Sequence, residues 1–169
     1  MVKMHVHIIK MGGTIEFIDP AYDEFNKKLL KLDASIDSYL HNLVKPHFNF
    51  SSEEVAQKDS REINEEDRER LAKAISNSPH ENIIITHGTF TMKDTAQYVE
   101  KLDAAAGKKI ILTGSMIPIM GFAASDAGFN LGFAMGLFPS IEPGVYLSMN
   151  GGIFTPDEIE KNKELFRFE

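Results

Sequence analysis

The chain has 169 residues, enough for one domain with a buried core, and carries 18 basic against 25 acidic side chains, a formal net charge of −7. With no basic stripe, it offers nucleic acid or an anionic membrane no electrostatic footprint. Cysteine is absent, which excludes disulfides, thiol nucleophiles and thiolate metal sites and suits a cytoplasmic location; no run approaches the ~18 apolar residues of a membrane helix, and residues 1–9 lack a secretory apolar region.

In chain order, HVHIIKMGG near residues 5–13 reads as a buried strand ending in a glycine turn. His5 and His7 share one face of it at i, i+2, but no third ligand is evident, so no metal site is expected. Residues 16–50 are the least legible. Phe25, Leu29, Leu32, Ile36 and then Tyr39 or Leu40 recur at helical spacing, yet the segment follows a Gly-Gly turn and suits a mobile lid equally well. A clearer helix follows Asn64, a capping residue with acids in the next turn and an apolar stripe at Leu71, Ala74 and Ile75.

NIIITHG at 82–88 gives a second strand. Thr91 is the expected N-cap of the next helix, with Asp94 three residues on; Met92, Ala96, Val99 and Leu102 face inward, and Gly107 ends it. KKIILTGS at 108–115 is a third strand, Ser125 or Asp126 caps a helix that buries Leu131, Ala134 and Leu137, and GVYLSMNGG at 144–152 is a fourth strand. The alternation predicts an α/β fold, a three-layer αβα arrangement around a mainly parallel sheet.

Hydroxyl-rich clusters follow three of the strands: Thr14 in GGTI, Thr86, His87 and Thr89 in THGT, and Thr113 and Ser115 in TGS. Ligands gather at the carboxyl ends of strands in such sheets, and a hydroxyl can attack a carbonyl if a base takes its proton and donors hold the oxyanion. Taken singly, each cluster is ordinary turn chemistry. MGGT has neither the spacing nor the lysine of a phosphate loop.

Taken in order, MGGTIE, KDSREI, THGTFTMKDTAQYVEK, KKIILTGSMIPI, ASDAGFNL and GGIFTPDEIEKN resemble successive segments of the bacterial-type L-asparaginases, the threonine amidohydrolases. The resemblance is to their N-terminal domain and covers most of the chain outside 16–50; GSMIP is nearer the cytoplasmic branch. It implies one asparaginase N-terminal-like domain over 1–169, without the family's smaller C-terminal domain. It further implies Thr14 as the nucleophile, Thr89 as the second essential threonine, and Lys108, at the start of KKIIL, as the lysine of the second triad. Ser60, Gly88, Phe90 and Ser115 fall in the substrate-binding set, and Tyr22 is the nearest counterpart of the tyrosine on the family's lid. The chemistry requires no cofactor or metal, the partner is a small-molecule amide, and assembly as a homodimer or higher homo-oligomer is expected.

Phe90 departs from the pattern, because the family has an aspartate there that receives the substrate's α-ammonium. Losing one partner of a desolvated charge pair costs on the order of 2 to 5 kcal/mol, so free L-asparagine is expected to be a poor substrate. Arg61 and Glu62 also replace a smaller polar residue and an aspartate. A small-molecule-binding protein that kept the fold and lost catalysis is the alternative reading.

Overall fold

The structure is a computed structural model that describes residues 3–169. Its main sheet has six strands: β1 (His5–Gly12), β2 (Asn49–Lys58), β3 (Asn82–Thr86), β4 (Lys109–Thr113), β5 (Gly144–Met149) and β6 (Gly152–Phe154). They lie in the order β2-β1-β3-β4-β5-β6. The first five are parallel to their neighbours and β6 is antiparallel to β5. Asn150 and Gly151, with φ of 55° and 78°, make the two-residue turn between β5 and β6 that a tight hairpin requires.

The central strands are short β-branched runs because both of their faces are covered. Ile83 and Ile85 of β3 and Ile110 and Leu112 of β4 point into one core layer, against α3 (Glu65–Asn77) and α4 (Met92–Glu100). Ile84, Ile111, Val6 and Ile8 point into the other, against α5 (Ala127–Leu137) and Ile36 and Leu40. This is the expected three-layer arrangement. Asn64 caps α3 as expected, and the structure adds a reciprocal box with Asp67.

Three elements differ from expectation. β2 is not evident in the sequence because NFSSEEVAQK is an edge strand with only Ala56 buried, so no apolar run marks it. α4 stops at Glu100 rather than near Gly107; Asp103–Ala105 form a separate short turn. Residues 16–50 do not form one amphipathic helix. Asp19 caps α1 (Pro20–Phe25), which widens into a π-turn over Asn26–Leu30 and is stopped by left-handed Lys31. After it, α2 (Ile36–Ser38) widens again over Tyr39–Val44. Phe25 and Leu29 therefore stay exposed while Ile36 and Leu40 are buried.

A small hairpin of β7 (Lys161–Asn162) and β8 (Arg167–Phe168) completes the chain. Asn150 Oδ1 accepts from the Phe168 N–H at 3.0 Å, and Lys93 Nζ donates to the Ile159 carbonyl at 3.0 Å, which fixes the hairpin beside the N-terminus of α4. Among the described residues, no helix is long and apolar enough to cross a membrane.

Candidate active site

The strand order changes direction between β1 and β3: β2 is laid on one side of β1, and β3, β4 and β5 on the other. At such a switch point the loops leaving two neighbouring strands part and leave a crevice for ligand. Here those loops are 13–16 after β1, carrying Thr14, and 87–91 after β3, carrying Thr89.

Glycine lets the loops meet. Gly12 and Gly13 both have left-handed φ, 86° and 83°, and the Gly13 N–H donates to the Lys58 carbonyl at 2.9 Å. A Cβ on Gly13 would lie 2.3 Å from the Gly88 nitrogen, and one on Gly88 2.7 Å from Ser60 Cβ. Only bare backbone permits these approaches. Ser60, almost completely buried, accepts from the Phe90 N–H at 3.2 Å with its hydroxyl, and its carbonyl accepts from Thr91 Oγ1 at 2.6 Å. Thr91 thus occupies the expected cap position of α4 but spends its hydroxyl on the Ser60 loop rather than on the helix.

Thr14 is exposed in an open cleft of about 420 Å³ whose walls include Phe17, Lys58, Asp59 and Pro118. Thr89 is buried, and Lys161 Nζ donates to its hydroxyl at 2.7 Å. Lys161 also lies 4.5 Å from the Phe90 ring centroid, with the Arg61 guanidinium at 4.6 Å. Burial, with a smaller contribution from Lys163, holds the Lys161 ammonium below the usual lysine range. His87 is buried and kept neutral by desolvation; its ring pairs with the Gly88 carbonyl at 2.8 Å and Thr95 Oγ1 at 3.0 Å, so it orders its loop.

The structure clusters Ser60, Gly88 and Phe90 and joins their loop to the Thr14 loop at Gly13 and Gly88, while Thr14 lines its own cleft and Thr89 and Phe90 line a second one with Lys161 and Phe168. Three other expected residues lie elsewhere. Lys108 is not beside Thr89: it precedes β4, and its Nζ donates to the Ser78 and His80 carbonyls at 2.8 and 3.3 Å. The whole strand, five residues or roughly 16 Å at ~3.3 Å per residue, separates the two ends of the sheet. Lys161 is the lysine that reaches Thr89. It stands within the motif GGIFTPDEIEKN, but its two-residue strand has no periodicity to mark it.

Ser115 is buried and donates to the Ile117 carbonyl at 2.6 Å, shaping its own loop. Tyr22 packs edge-on against Phe122 with centroids 5.0 Å apart and does not line the cleft around Thr14. Sequence reasoning also missed Glu16, whose carboxyl group is bonded to Gly12 and Thr86, and the anchoring role of Asp126, whose carboxylate receives the N–H groups of Met116 and Ile117. Among the described residues no group of three His, Asp or Glu side chains is placed to hold a metal.

The domain is thus of the α/β class with a mainly parallel sheet, its switch point joining two hydroxyl-bearing loops, one hydroxyl in an open cleft and the other on a lysine. The comparisons give the family. The family model described as Asparaginase, N-terminal matches residues 5–165, and the chain belongs to that family. A glutaminase-asparaginase of Acinetobacter glutaminasificans is 30% identical over 94% of this chain and 50% of its own length. A probable periplasmic L-asparaginase of Haemophilus influenzae is 28% identical over 93% of this chain and 46% of its own.

Among solved structures, a probable cytoplasmic L-asparaginase of Campylobacter jejuni superposes with a TM-score of 0.73 at 29% identity, over 99% of this chain and 51% of that one. L-asparaginase I of Vibrio cholerae gives 0.76 at 25% identity, over the same shares. The chain spans about half the length of the relatives it matches.

Proposed function

We propose that the chain carries the reacting groups of an asparaginase-type amidohydrolase acting on a carboxamide whose binding does not depend on an α-ammonium. Thr14 Oγ attacks the amide carbon, its proton passes to the departing nitrogen, and ammonia leaves behind an ester on Thr14. Water then attacks the ester, giving up a proton through Thr89 to Lys161; as the bond from the acyl carbon to Thr14 Oγ breaks, that proton is returned to the Thr14 oxygen, so that amide and water become carboxylic acid and ammonia and the chain is restored. For that step the hydrogen bond between Lys161 and Thr89 reverses its sense, a neutral amine accepting from the hydroxyl.

The observation that carries this reading is the contact of Lys161 Nζ with Thr89 Oγ1 at 2.7 Å, by a lysine that forms no ion pair among the described residues and whose pKa burial lowers. Family membership and the exposed Thr14 hydroxyl in its cleft support it. The restriction on substrate rests on Phe90. An apolar ring with the Arg61 guanidinium against it gives an ammonium no carboxylate partner and one like charge.

Ammonia release from L-asparagine, L-glutamine and their analogues without the α-amino group tests this. Release strongest for the deaminated analogues is expected. Faster turnover of L-asparagine than of its deaminated analogue would reject the substrate restriction, and no release from any amide would favour a binding protein that retains the fold. Phe90 is the observation that favours that second reading.

A further inference from the structure

Glu16 stands two residues after Thr14 and reaches back to the ends of two strands. One oxygen, Oε2, accepts from the Gly12 N–H at 3.0 Å and from the Thr86 hydroxyl at 2.9 Å. Gly12 opens the left-handed pair that presents Thr14, and Thr86 is the last residue of β3, three before Thr89. A single carboxyl oxygen therefore ties together the roots of both threonine loops.

Among the described residues no cation pairs directly with that carboxyl group. Lys10 on β1 is the cation facing it, and Lys10 Nζ is committed to Asp37 at 2.9 Å; Glu54 on β2 adds a like charge. Burial accordingly pushes the Glu16 carboxyl up to about 7, against the opposing pull of its two hydrogen bonds and of Lys10. Thr86 faces it from β3, and the neighbouring His87 ring is occupied by Gly88 and Thr95.

We propose that Glu16 is a positioning residue that couples the Thr14 and Thr89 loops, holding them in register when its carboxyl is ionised and loosening them when it is protonated. Hydrogen bonds to a carboxylate are roughly twice as strong as those to a neutral group, so both donors are gripped harder by the charged form. The inference rests on the proposed reaction only for its consequence in turnover; the coupling itself is a property of the loops.

The test is an amide ¹⁵N–¹H titration of the full chain between pH 5 and 9. The amides of Gly12 and Thr14 and those of Gly88 and Thr89 should shift together with one midpoint near 7, and Glu16→Gln should abolish the shift. Thr86→Val should leave Gly12 titrating while Gly88 and Thr89 cease to follow. A Gly12 amide that does not titrate, a titration that persists in Glu16→Gln, or Gly88 and Thr89 amides that stay still in the parent chain would each overturn the coupling.

In turnover, kcat should rise with pH through the same midpoint in the parent and be flat and about tenfold lower at pH 8 in Glu16→Gln, with KM little changed. Parallel pH profiles in the two proteins would reject the positioning role. Absence of turnover from any amide would reject the proposed reaction, while the amide titration still decides the coupling.

Discussion

Two lysines make their contacts at opposite ends of the sheet. Lys108 and Lys161 both have their Nζ on protein oxygens, but Lys108 is held by two main-chain carbonyls at the amino end of the sheet and Lys161 by the Thr89 hydroxyl at the carboxyl end. If Lys161 receives the proton from Thr89, Lys161→Met should lower kcat on a responsive amide by on the order of 10²- to 10⁴-fold, the usual weight of a general base. Lys108→Met should leave kcat within about threefold. The opposite ranking in steady-state kinetics would return the role to Lys108.

Glu16 gives a second expectation at this scale, in stability. Its carboxyl is raised from 4.5 to about 7 in the folded chain, so between those values the native state binds a proton that the unfolded state has lost. Stability therefore falls as pH rises through that window and is level above it. Replacing Glu16 by Gln removes the loss, by up to about 3 kcal/mol for a shift of that size at 1.36 kcal/mol per unit. Urea denaturation should show little difference between the two proteins near pH 4.5 and a growing advantage of Glu16→Gln up to pH 7. An offset independent of pH would contradict this.

Single residues were legible where a motif carried them. Thr14 and Thr89 stand out in hydroxyl clusters that follow strands, Ser60 and Gly88 enter only through the resemblance of KDSREI and THGT to asparaginase segments, and Phe90 stands out because it breaks such a block. Lys161 and Glu16 do not stand out, since each is marked only by a contact between residues 70 or more apart: Lys161 with Thr89 and Glu16 with Thr86.

At the scale of elements, the contact between the loops after β1 and β3 is made of backbone. Gly13 has a left-handed φ and no room for a Cβ beside the Gly88 nitrogen, so Gly13→Ala strains its own dihedral and pushes the two loops apart. A loss of about 2 kcal/mol or more is expected, at the upper end of ordinary substitutions. Gly107 is the control, because its φ is also left-handed but its Cβ position is open. Chemical denaturation should rank Gly13→Ala well below Gly107→Ala; equal losses would mean that dihedral strain alone matters.

The same scale explains which elements the sequence disclosed. β3 and β4 are apolar on both faces and stand out as runs, and α3 carries its cap and stripe openly. β2 is concealed by its place at the edge, where half-exposed polar residues satisfy the pairing with β1. The segment after Thr14 misled because its spacing is helical while two π-turns rotate the register, leaving Phe25 against Phe122 with ring centroids 5.6 Å apart instead of in the core.

For the whole molecule, strand order is the property that makes a site. β1 and β3 are neighbours in the sheet and far apart in the chain, so their loops meet only because β2 is placed outside β1. We propose that residues 1–169 act as one N-terminal-like domain and that it associates with another copy: Phe17, Leu29, Phe122 and Phe129 are all more than half exposed. Light scattering at micromolar concentration should give at least a dimer; a monomer would contradict the association.

On the proposed reaction Thr14, presented at this switch point, forms the covalent intermediate. The direct measurement is the intact mass of the protein after acid quenching during turnover of a deaminated amide, followed by peptide mapping. An acyl adduct on Thr14 that disappears in Thr14→Ala, together with ammonia release, is the expected result. An adduct on Thr89, or ammonia release undiminished in Thr14→Ala, would contradict it.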